Sequence, residues 1–380
     1  MKKKLTTLAE QERKARRNQY CRCILAVAML LAGGASAFAD GTNTPAWTPQ
    51  DMFEGGPDTL NNWVEFSVGG LMTSGSNAQA EQRYRLSNEP LGGISDLHLQ
   101  KDIAKKTTLT VDGHALFDQN ENKLALALKR ENFGYVKFDF NEFGTWYNGA
   151  GGYYPPTGMQ YQLGNDSLML RRGSYAVEAG LTLKDLPKFV FKYSHSFRDG
   201  DKSSTIWGPV HPDLTTTVAG VTPTLLNVNE SVDSYALDVT HHLFKTDFGV
   251  GVRYDTASLV DTRYETLWQG EPVQRDVTDK QANAYDMFNA HAFSETWFKR
   301  NLLLSVGYSF ANLNDTFTGN RTYGNDFNVA YNPNPLNGLG YISLNGGAHE
   351  QEHVANVNLM VVPVKNLTIV PSLRVQSDSW

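Results

Sequence analysis

A short phrase that recurs along the chain constrains its fold more than any other feature. Each copy is an apolar residue followed by a lysine, at Leu183-Lys184, Phe244-Lys245, Phe298-Lys299 and Val364-Lys365. After each copy apolar side chains alternate with small or polar ones, as in the run Phe248, Val250, Val252 and Tyr254. A period of two indicates a β-strand with one apolar face. The phrase therefore predicts a tight turn that leads into an amphipathic strand.

The connections between these strands are alternately short and long. The long ones are polar stretches rich in Gly, Asn, Asp, Thr and Pro. Short turns at one end and long loops at the other are typical of outer-membrane β-barrels, whose tilted strands of about ten residues cross an apolar band of roughly 25 Å. A soluble β-sandwich would turn the apolar face inward instead, and alternation alone does not separate the two folds.

The amino terminus favours the barrel. Basic residues precede a short apolar run, residues 24–32, which is too short to span a bilayer. Ala37 and Ala39 then offer a small-residue cleavage site before Asp40. These features predict a signal peptide over residues 1–39, a periplasmic lead-in over 40–60 and a transmembrane barrel over 61–380.

Cysteine usage and charge exclude several kinds of function. Cys21 and Cys23 are the two cysteines of the chain, and both lie in the predicted signal peptide. The mature chain would therefore have no disulfide, no thiolate metal site and no covalently attached haem. The net charge of −6 becomes more negative when the basic terminus is removed, which argues against nucleic-acid binding.

Period-two alternation predicts about thirteen antiparallel strands joined up and down. They cover residues 63–72, 94–100, 107–117, 123–130, 134–143, 174–183, 188–198, 231–241, 247–255, 284–295, 302–312, 352–362 and 367–376. If the amino end begins in the periplasm, the short turns lie on the periplasmic side and the long loops outside, with residues 118–122 as a short turn expected on the outer side. An odd number of strands does not close a bacterial single-chain barrel, and Pro371 interrupts the last strand. We therefore expect an incomplete barrel, truncated at the carboxyl end, with further strands downstream.

Both ends of the strands carry aromatic residues, which are expected where a barrel meets the lipid headgroups. Phe244, Trp297 and Phe298 flank short turns, and Trp146, Tyr147, Tyr153 and Tyr154 open a long outer loop. The inward face is predicted to be small and mostly polar. Its expected positions are Ser174, Ala176, Gly180, Thr182, Gly249, Gly251, Ser305, Gly307, Ser309 and Ala311, with charge from Glu178, Lys192, Arg198, Arg253 and Arg374.

One segment resembles a known family. The run YSHSFRDGDKSS begins at Tyr193, and its residues Tyr193, His195, Arg198, Asp199, Gly200 and Lys202 are similar to the strand-end motif of the MtrB/PioB decahaem-associated barrels. Residues 123–156 are similar in layout to the early hairpins of that family. The resemblance implies a barrel that sheathes a multihaem c-type cytochrome, with the haem on the partner and none on this chain. The Cys-x-x-Cys that some members carry near the mature amino terminus is absent here.

Candidates for catalysis or metal binding are few. His98, His114, His195, His291 and the pair His241-His242 fall on different predicted strands, where a histidine in a wet lumen or at a membrane rim is more common than a metal ligand. Asp and Asn residues in the outer loops lack the regular spacing of a calcium site. Arg198, Asp199 and Lys202 are expected to form a structural salt-bridge cluster at one strand end. The sequence contains no nucleophile elbow and no phosphate-binding glycine loop, so no catalytic residue, metal ligand or cofactor-binding residue is assigned.

Three functions from different classes follow. The first is a sheath for a multihaem cytochrome that carries electrons across the outer membrane, which rests on the resemblance. The second is a general diffusion porin for small polar solutes, which needs only a polar inward face. The third, an outer-membrane enzyme, has no supporting residue. We expect the first, with the lipid of the outer membrane as the surrounding partner.

Overall fold

A computed structural model describes residues 62–117, 119–149, 152–154, 159–161, 167–210, 218–264, 278–322 and 344–380. The predicted signal peptide with Ala37, Ala39 and Asp40, and the predicted lead-in, lie outside these residues.

Within the described residues the chain is almost entirely β-structure. The elements are β1 (Asn62–Gly69), α1 (Asn77–Tyr84), β2 (Leu91–Ala104), β3 (Thr107–Phe117), β4 (Glu121–Arg130), β5 (Gly134–Asn148), β6 (Gly152–Tyr154), β7 (Met159–Tyr161), β8 (Ser167–Leu181), β9 (Lys188–Val210), β10 (Val218–Leu243), β11 (Thr246–Tyr264), β12 (Thr278–Lys299), β13 (Leu302–Thr322), β14 (Leu344–Val364), β15 (Leu367–Ile369) and β16 (Ser372–Ser379).

Fourteen of these strands form one antiparallel sheet in which neighbours along the chain are neighbours in space. The order is β1-β2-β3-β4-β5-β8-β9-β10-β11-β12-β13-β14-β15, and β16 also pairs with β14. The short hairpin β6-β7 forms a separate sheet. This arrangement confirms the predicted all-β, up-and-down antiparallel fold. Among the described strands no ladder joins β1 to β15 or β16.

The tight turns that follow β2, β4, β8, β10, β12 and β14 lie at one end of the sheet, and the short turn between β3 and β4, at Asn120, lies at the opposite end. Residues with positive φ occupy five of the turns at the first of these ends: Lys106, Asn132, Asp185, Phe244 and Asn366. Such conformations let a hairpin turn follow the twist of its strands. The longer connections, including the one that holds α1, lie at the other end, as the sequence predicts. We call these the turn end and the outer end.

Each predicted strand coincides with a strand of the sheet, but many extend further at the outer end. The strand predicted over residues 231–241, for example, is part of β10, which spans Val218–Leu243. The outward face of the outer parts is mostly polar, so the apolar alternation that faces lipid does not continue there. The last predicted strand is divided into β15 and β16 at Pro371, whose carbonyl oxygen accepts a bond of 3.0 Å from the Leu359 amide.

Helix α1 lies in the connection between β1 and β2, where the sequence predicts only a polar loop. Ser76 caps it, its Oγ accepting from the amide of Gln79 at 3.4 Å. Gln82 Oε1 accepts from the Asn148 amide at 3.1 Å, which ties the helix to the outer end of β5. No helix in the described part of the chain is long and apolar enough to cross a membrane.

Candidate functional site

The strand register assigns the side chains to two faces. Tyr193, Tyr235, Tyr254 and Phe288 are consecutive partners across β9, β10, β11 and β12, and so lie on one face. The neighbouring rungs toward the turn end carry apolar residues on that same face, and many of them are exposed: Phe189, Phe191, Leu237, Phe248, Val250, Val252, Val306 and Val357. A continuous exposed apolar band of this kind suits lipid, not water. We call this the outward face and the opposite one the inward face.

A row of tyrosines bounds the apolar band on the outer side. Tyr193 donates to Asp233 Oδ1 at 2.7 Å and Tyr254 to Asp286 Oδ1 at 2.8 Å. On β9, β10 and β11 the next outward position beyond this row is polar, at His195, Asp233 and Thr256. Tyrosine, with an apolar ring and a polar hydroxyl, is enriched at this depth of a membrane protein. We call Tyr193, Tyr235 and Tyr254 the tyrosine belt.

At the turn end, the predicted aromatic residues are exposed as expected. Phe244 is 89 % exposed, and Trp297 and Phe298 are also exposed beside their turn. The prediction that Trp146 and Tyr147 mark the lipid boundary on the outer side is wrong. Trp146 is only 6 % exposed, and Tyr147 packs against the buried cluster of Leu170, Leu226 and Val228. The strands continue beyond the lipid, so the outer boundary falls in mid-strand. The side chains of Tyr153 and Tyr154 lie outside the described residues.

The family-like motif also lies in mid-strand, because β9 continues to Val210. Tyr193 and His195 face outward at the tyrosine belt and share one acceptor, since His195 Nδ1 is 2.8 Å from the same Asp233 oxygen. The His195 ring stacks on Tyr175, with 4.9 Å between centroids. The two motif residues and their partners thus join β8, β9 and β10 at the membrane boundary.

Asp199 belongs to an outward ion-pair group just beyond the belt. Arg171 Nε lies 3.0 Å from Asp199 Oδ1, and Arg171 Nη1 lies 3.3 Å from Glu142 Oε1. Asn122 Nδ2 donates to the other Glu142 oxygen at 3.3 Å. The group connects β4, β5, β8 and β9. Hydrogen-bonded charge networks of this kind fix the geometry of neighbouring strands more than isolated surface pairs do.

Arg198 and Gly200 face inward. Arg198 forms an ion pair with Glu230 on β10. Gly200 has φ of +130°, and a Cβ there would overlap the carbonyl oxygen of Met169. Only glycine avoids both the strained backbone and the overlap. Lys202 on β9 lies opposite Leu226 on β10.

The expected single cluster of Arg198, Asp199 and Lys202 at a strand end is therefore wrong. Successive strand residues point to opposite faces, so Asp199 is separated by the sheet from Arg198. The partners that complete the motif, Asp233 and Arg171, lie on other strands. Only the strand register could have revealed them, and the sequence does not contain it explicitly.

Several of the histidines that the sequence singles out have acidic neighbours on other strands, which spacing along the chain could not show. His98 Nδ1 lies 2.5 Å from Asp112 Oδ1, and His291 Nε2 lies 3.5 Å from Asp238 Oδ1. His114 Nε2 lies 3.9 Å from Glu121. Among the described residues, no group of three or more His, Cys, Asp or Glu side chains is arranged to hold a metal ion.

The inward face is less bare than predicted. A Cβ on Gly249 would come within 2.5 Å of the Phe293 ring, because that ring covers the glycine from β12. His291 covers Gly251 and Tyr135 covers Gly180 in the same way. Aromatic side chains over strand glycines are a known means of fixing sheet register. Gly307 differs, because the space that a Cβ would occupy there is open to a distance of 4 Å.

Several inward charges that the structure describes are paired locally. Lys137 Nζ lies 3.3 Å from Glu178 Oε1, which also accepts from Tyr135 at 2.7 Å. Arg253 Nε lies 2.9 Å from the buried Asp255. These pairs are distributed over several strands and heights and do not form one ring.

An up-and-down antiparallel sheet with one apolar face, bounded by aromatic residues on both sides, is the architecture of an outer-membrane β-barrel wall. The chain is an outer-membrane β-barrel protein by fold and by the lipid-compatible surface it presents. The opposite, polar face lines the lumen.

Comparison with known proteins gives structural neighbours of low identity. No protein-family model matches the chain, and no curated protein matches it. The open form of the ferric-catecholate import receptor Fiu from E. coli K12 matches with a TM-score of 0.47 at 8 % identity, over 75 % of this chain and 52 % of the receptor. A loop-deletion mutant of OmpT, an outer membrane protein of Vibrio cholerae, matches with a TM-score of 0.25 at 12 % identity, over 84 % and 95 %. The chain spans about half the length of the receptor.

Proposed function

We propose that this chain forms the wall of an outer-membrane barrel that encloses a rigid protein partner, a multihaem c-type cytochrome that carries electrons across the membrane. The identity of the partner comes from the resemblance of the Tyr193–Lys202 motif to the MtrB/PioB barrels. The inward face supplies the physical argument for an enclosed protein.

The observation that carries the proposal is an uncharged strip of small residues on the inward face of β13. Ser305, Gly307, Ser309 and Ala311 occupy successive inward positions there. On the neighbouring strand β14, Asn358 faces Ser305 and Asn356 faces Gly307. Small side chains let another backbone approach a sheet closely, and side-chain amides can bond to it. This strip would contact the partner.

The distribution of charge also supports an enclosed partner. A selective pore needs charged side chains that converge on one constriction. Here Lys137 with Glu178, Arg198 with Glu230, and Arg253 with Asp255 neutralise one another on separate strands. Neutralised walls bind a protein surface at a lower desolvation cost than isolated charges would.

A general diffusion porin is the second candidate, and the inward face of β8 and β9 favours it. Arg172 and Arg198 are partners across these strands, and Glu178 and Lys192 are partners nearer the turn end. Such long charged side chains keep a lumen hydrated, as a porin for small polar solutes requires.

Purification of the native barrel in mild detergent, followed by a haem absorption spectrum, tests the proposal. We expect haem to co-purify with the wild-type barrel. Gly307→Phe should reduce the haem absorbance, because it places a ring on the inward strip. Ala355→Phe, on the outward face opposite Tyr308, should leave it unchanged. A haem-free wild-type barrel with a fixed unit conductance for small ions would overturn the sheath and favour the porin.

A further inference from the structure

A groove of about 460 Å³ lies on the outward face at the turn end, within the apolar band. It extends from Thr107 at the start of β3 across β4, β5, β8, β9 and β10. Its lining is almost entirely aliphatic and aromatic: Leu128, Phe133, Val136, Ala179, Leu181, Phe189, Phe191 and Leu237, with Arg130 and Gly134 toward the turn.

The depth of the groove comes from two small residues between larger ones. Gly134 and Ala179 lie in rows whose other members are bulky, such as Phe189 and Phe191. Gly134 has φ of +156°, and a Cβ there would overlap the Gly180 carbonyl oxygen, so the position cannot carry a side chain without a backbone shift. Phe189 and Phe191 remain 42 % and 44 % exposed and form one side of the groove.

A cation marks the turn end of the groove. The guanidinium of Arg130 lies over the Phe133 ring, 5.4 Å from its centroid, and forms no ion pair with any residue in the described ranges. The neighbouring Lys106 differs, because Glu131 holds its ammonium at 3.4 Å. Arg130 therefore offers its donors to an anion at the depth where lipid phosphates lie.

We propose that this groove binds a glycerophospholipid of the leaflet on the turn side. One acyl chain lies over Gly134 and Ala179 between the aromatic and aliphatic walls, and the phosphate accepts hydrogen bonds from Arg130. The apolar lining matches a chain and the cation matches a phosphate, so the two parts of one molecule have separate recognition elements. The site is independent of the lumen and of any cytochrome.

Native mass spectrometry of the full-length barrel tests the site. The protein is delipidated in detergent and titrated with phosphatidylglycerol. Arg130→Ala and Arg130→Gln should each weaken the tightest binding event about tenfold, the effect of one lost charge-assisted hydrogen bond. Ala179→Phe should abolish it, because the ring fills the floor. Arg300→Ala at another turn and Ala292→Phe at another outward position in the band should bind like the wild type.

The outcomes separate the proposal from general lipid adhesion. Equal binding by the wild type and all variants would overturn it. Loss with the Arg130 variants but not with Ala179→Phe would also overturn it, because a phosphate contact without a chain in the groove is not this site. Displacement by inorganic phosphate alone, or preferential retention of lipopolysaccharide, would contradict the assignment to a phospholipid.

Discussion

Tyr254 on β11 donates a hydrogen bond of 2.8 Å to Asp286 on β12, which lies one outward position nearer the outer end than the residue that faces Tyr254. Tyr193 and Asp233 repeat the same diagonal between β9 and β10. Tyr308 and His353 repeat it between β13 and β14, with 2.8 Å between the hydroxyl and Nδ1. The same diagonal contact therefore recurs on three strand pairs, and the tyrosine belt on β9 to β11 defines a boundary that can be tested.

An arginine placed on either side of this boundary should have different costs. Val250→Arg, in the apolar band, should lower the free energy of unfolding by ~2–4 kcal/mol, and Ser258→Arg, outward but beyond Tyr254, by ~0–1 kcal/mol. Urea titrations of the protein folded in phospholipid vesicles measure both. Similar costs at the two positions would show that the belt does not mark the edge of the lipid.

The contact between Gly249 and Phe293 predicts a large effect from one methyl group. Gly249→Ala should destabilise the fold by ~1–3 kcal/mol, because the new Cβ overlaps the ring. Gly307→Ala, on the same face, has open space and should be neutral or slightly stabilising. The same unfolding titrations measure both variants. Phe293→Leu should partly restore Gly249→Ala, and a failure to do so would contradict the contact as the cause.

Gly200 is the motif residue whose identity the backbone explains most directly. Gly200→Ala should cost ~1–3 kcal/mol, since alanine would have to adopt a φ of +130° and overlap the Met169 carbonyl. Gly69→Ala is the control, because its nearest neighbour is a Leu91 methyl at 3.5 Å. Equal midpoints for the two variants in a denaturant series would argue against a backbone role for Gly200.

Arg171 holds two carboxylates, one of them nearly buried. Arg171→Ala should destabilise the barrel by ~1–3 kcal/mol, because Glu142, whose side chain is 10 % exposed, loses its charged partner. Glu131→Ala removes the exposed pair with Lys106 and should cost only ~0–1 kcal/mol. The difference should persist in high salt, which screens the exposed pair first. If both variants respond alike to salt, the Arg171 group is no more protected than a surface pair.

The sequence allows the lipid-spanning half of each strand to be predicted. The prediction ends at the boundary of the lipid for a physical reason. Residues such as Val250 and Val252 must face lipid, so they alternate with small or polar residues and reveal the strand. Beyond Tyr254 the outward face no longer meets lipid, and the outward apolar alternation that identifies a strand disappears. The outer extensions of β9 to β14 and the helix after Ser76 have no such signal for this reason.

The candidate site is predicted less completely. The motif residues from Tyr193 to Lys202 can be identified, but their partners Asp233, Arg171 and Glu230 lie on other strands. A one-residue change in register would exchange the two faces of a strand, so such contacts cannot be assigned before the register is known. The expected bare wall at Gly249 is wrong for a related reason, since the Phe293 ring that fills it comes from the next strand.

The length of the strands sets how closely a molecule outside the cell can approach the bilayer. At ~3.3 Å per residue and ~40° tilt, the part of β11 beyond Tyr254 rises roughly 25 Å above the lipid. That height is hydrogen-bonded sheet along its whole course, with β10 and β12 paired to it as far as Tyr264. A redox acceptor, a phage or an antibody that contacts the rim therefore stops well above the acyl chains, and only a molecule narrower than the opening descends farther.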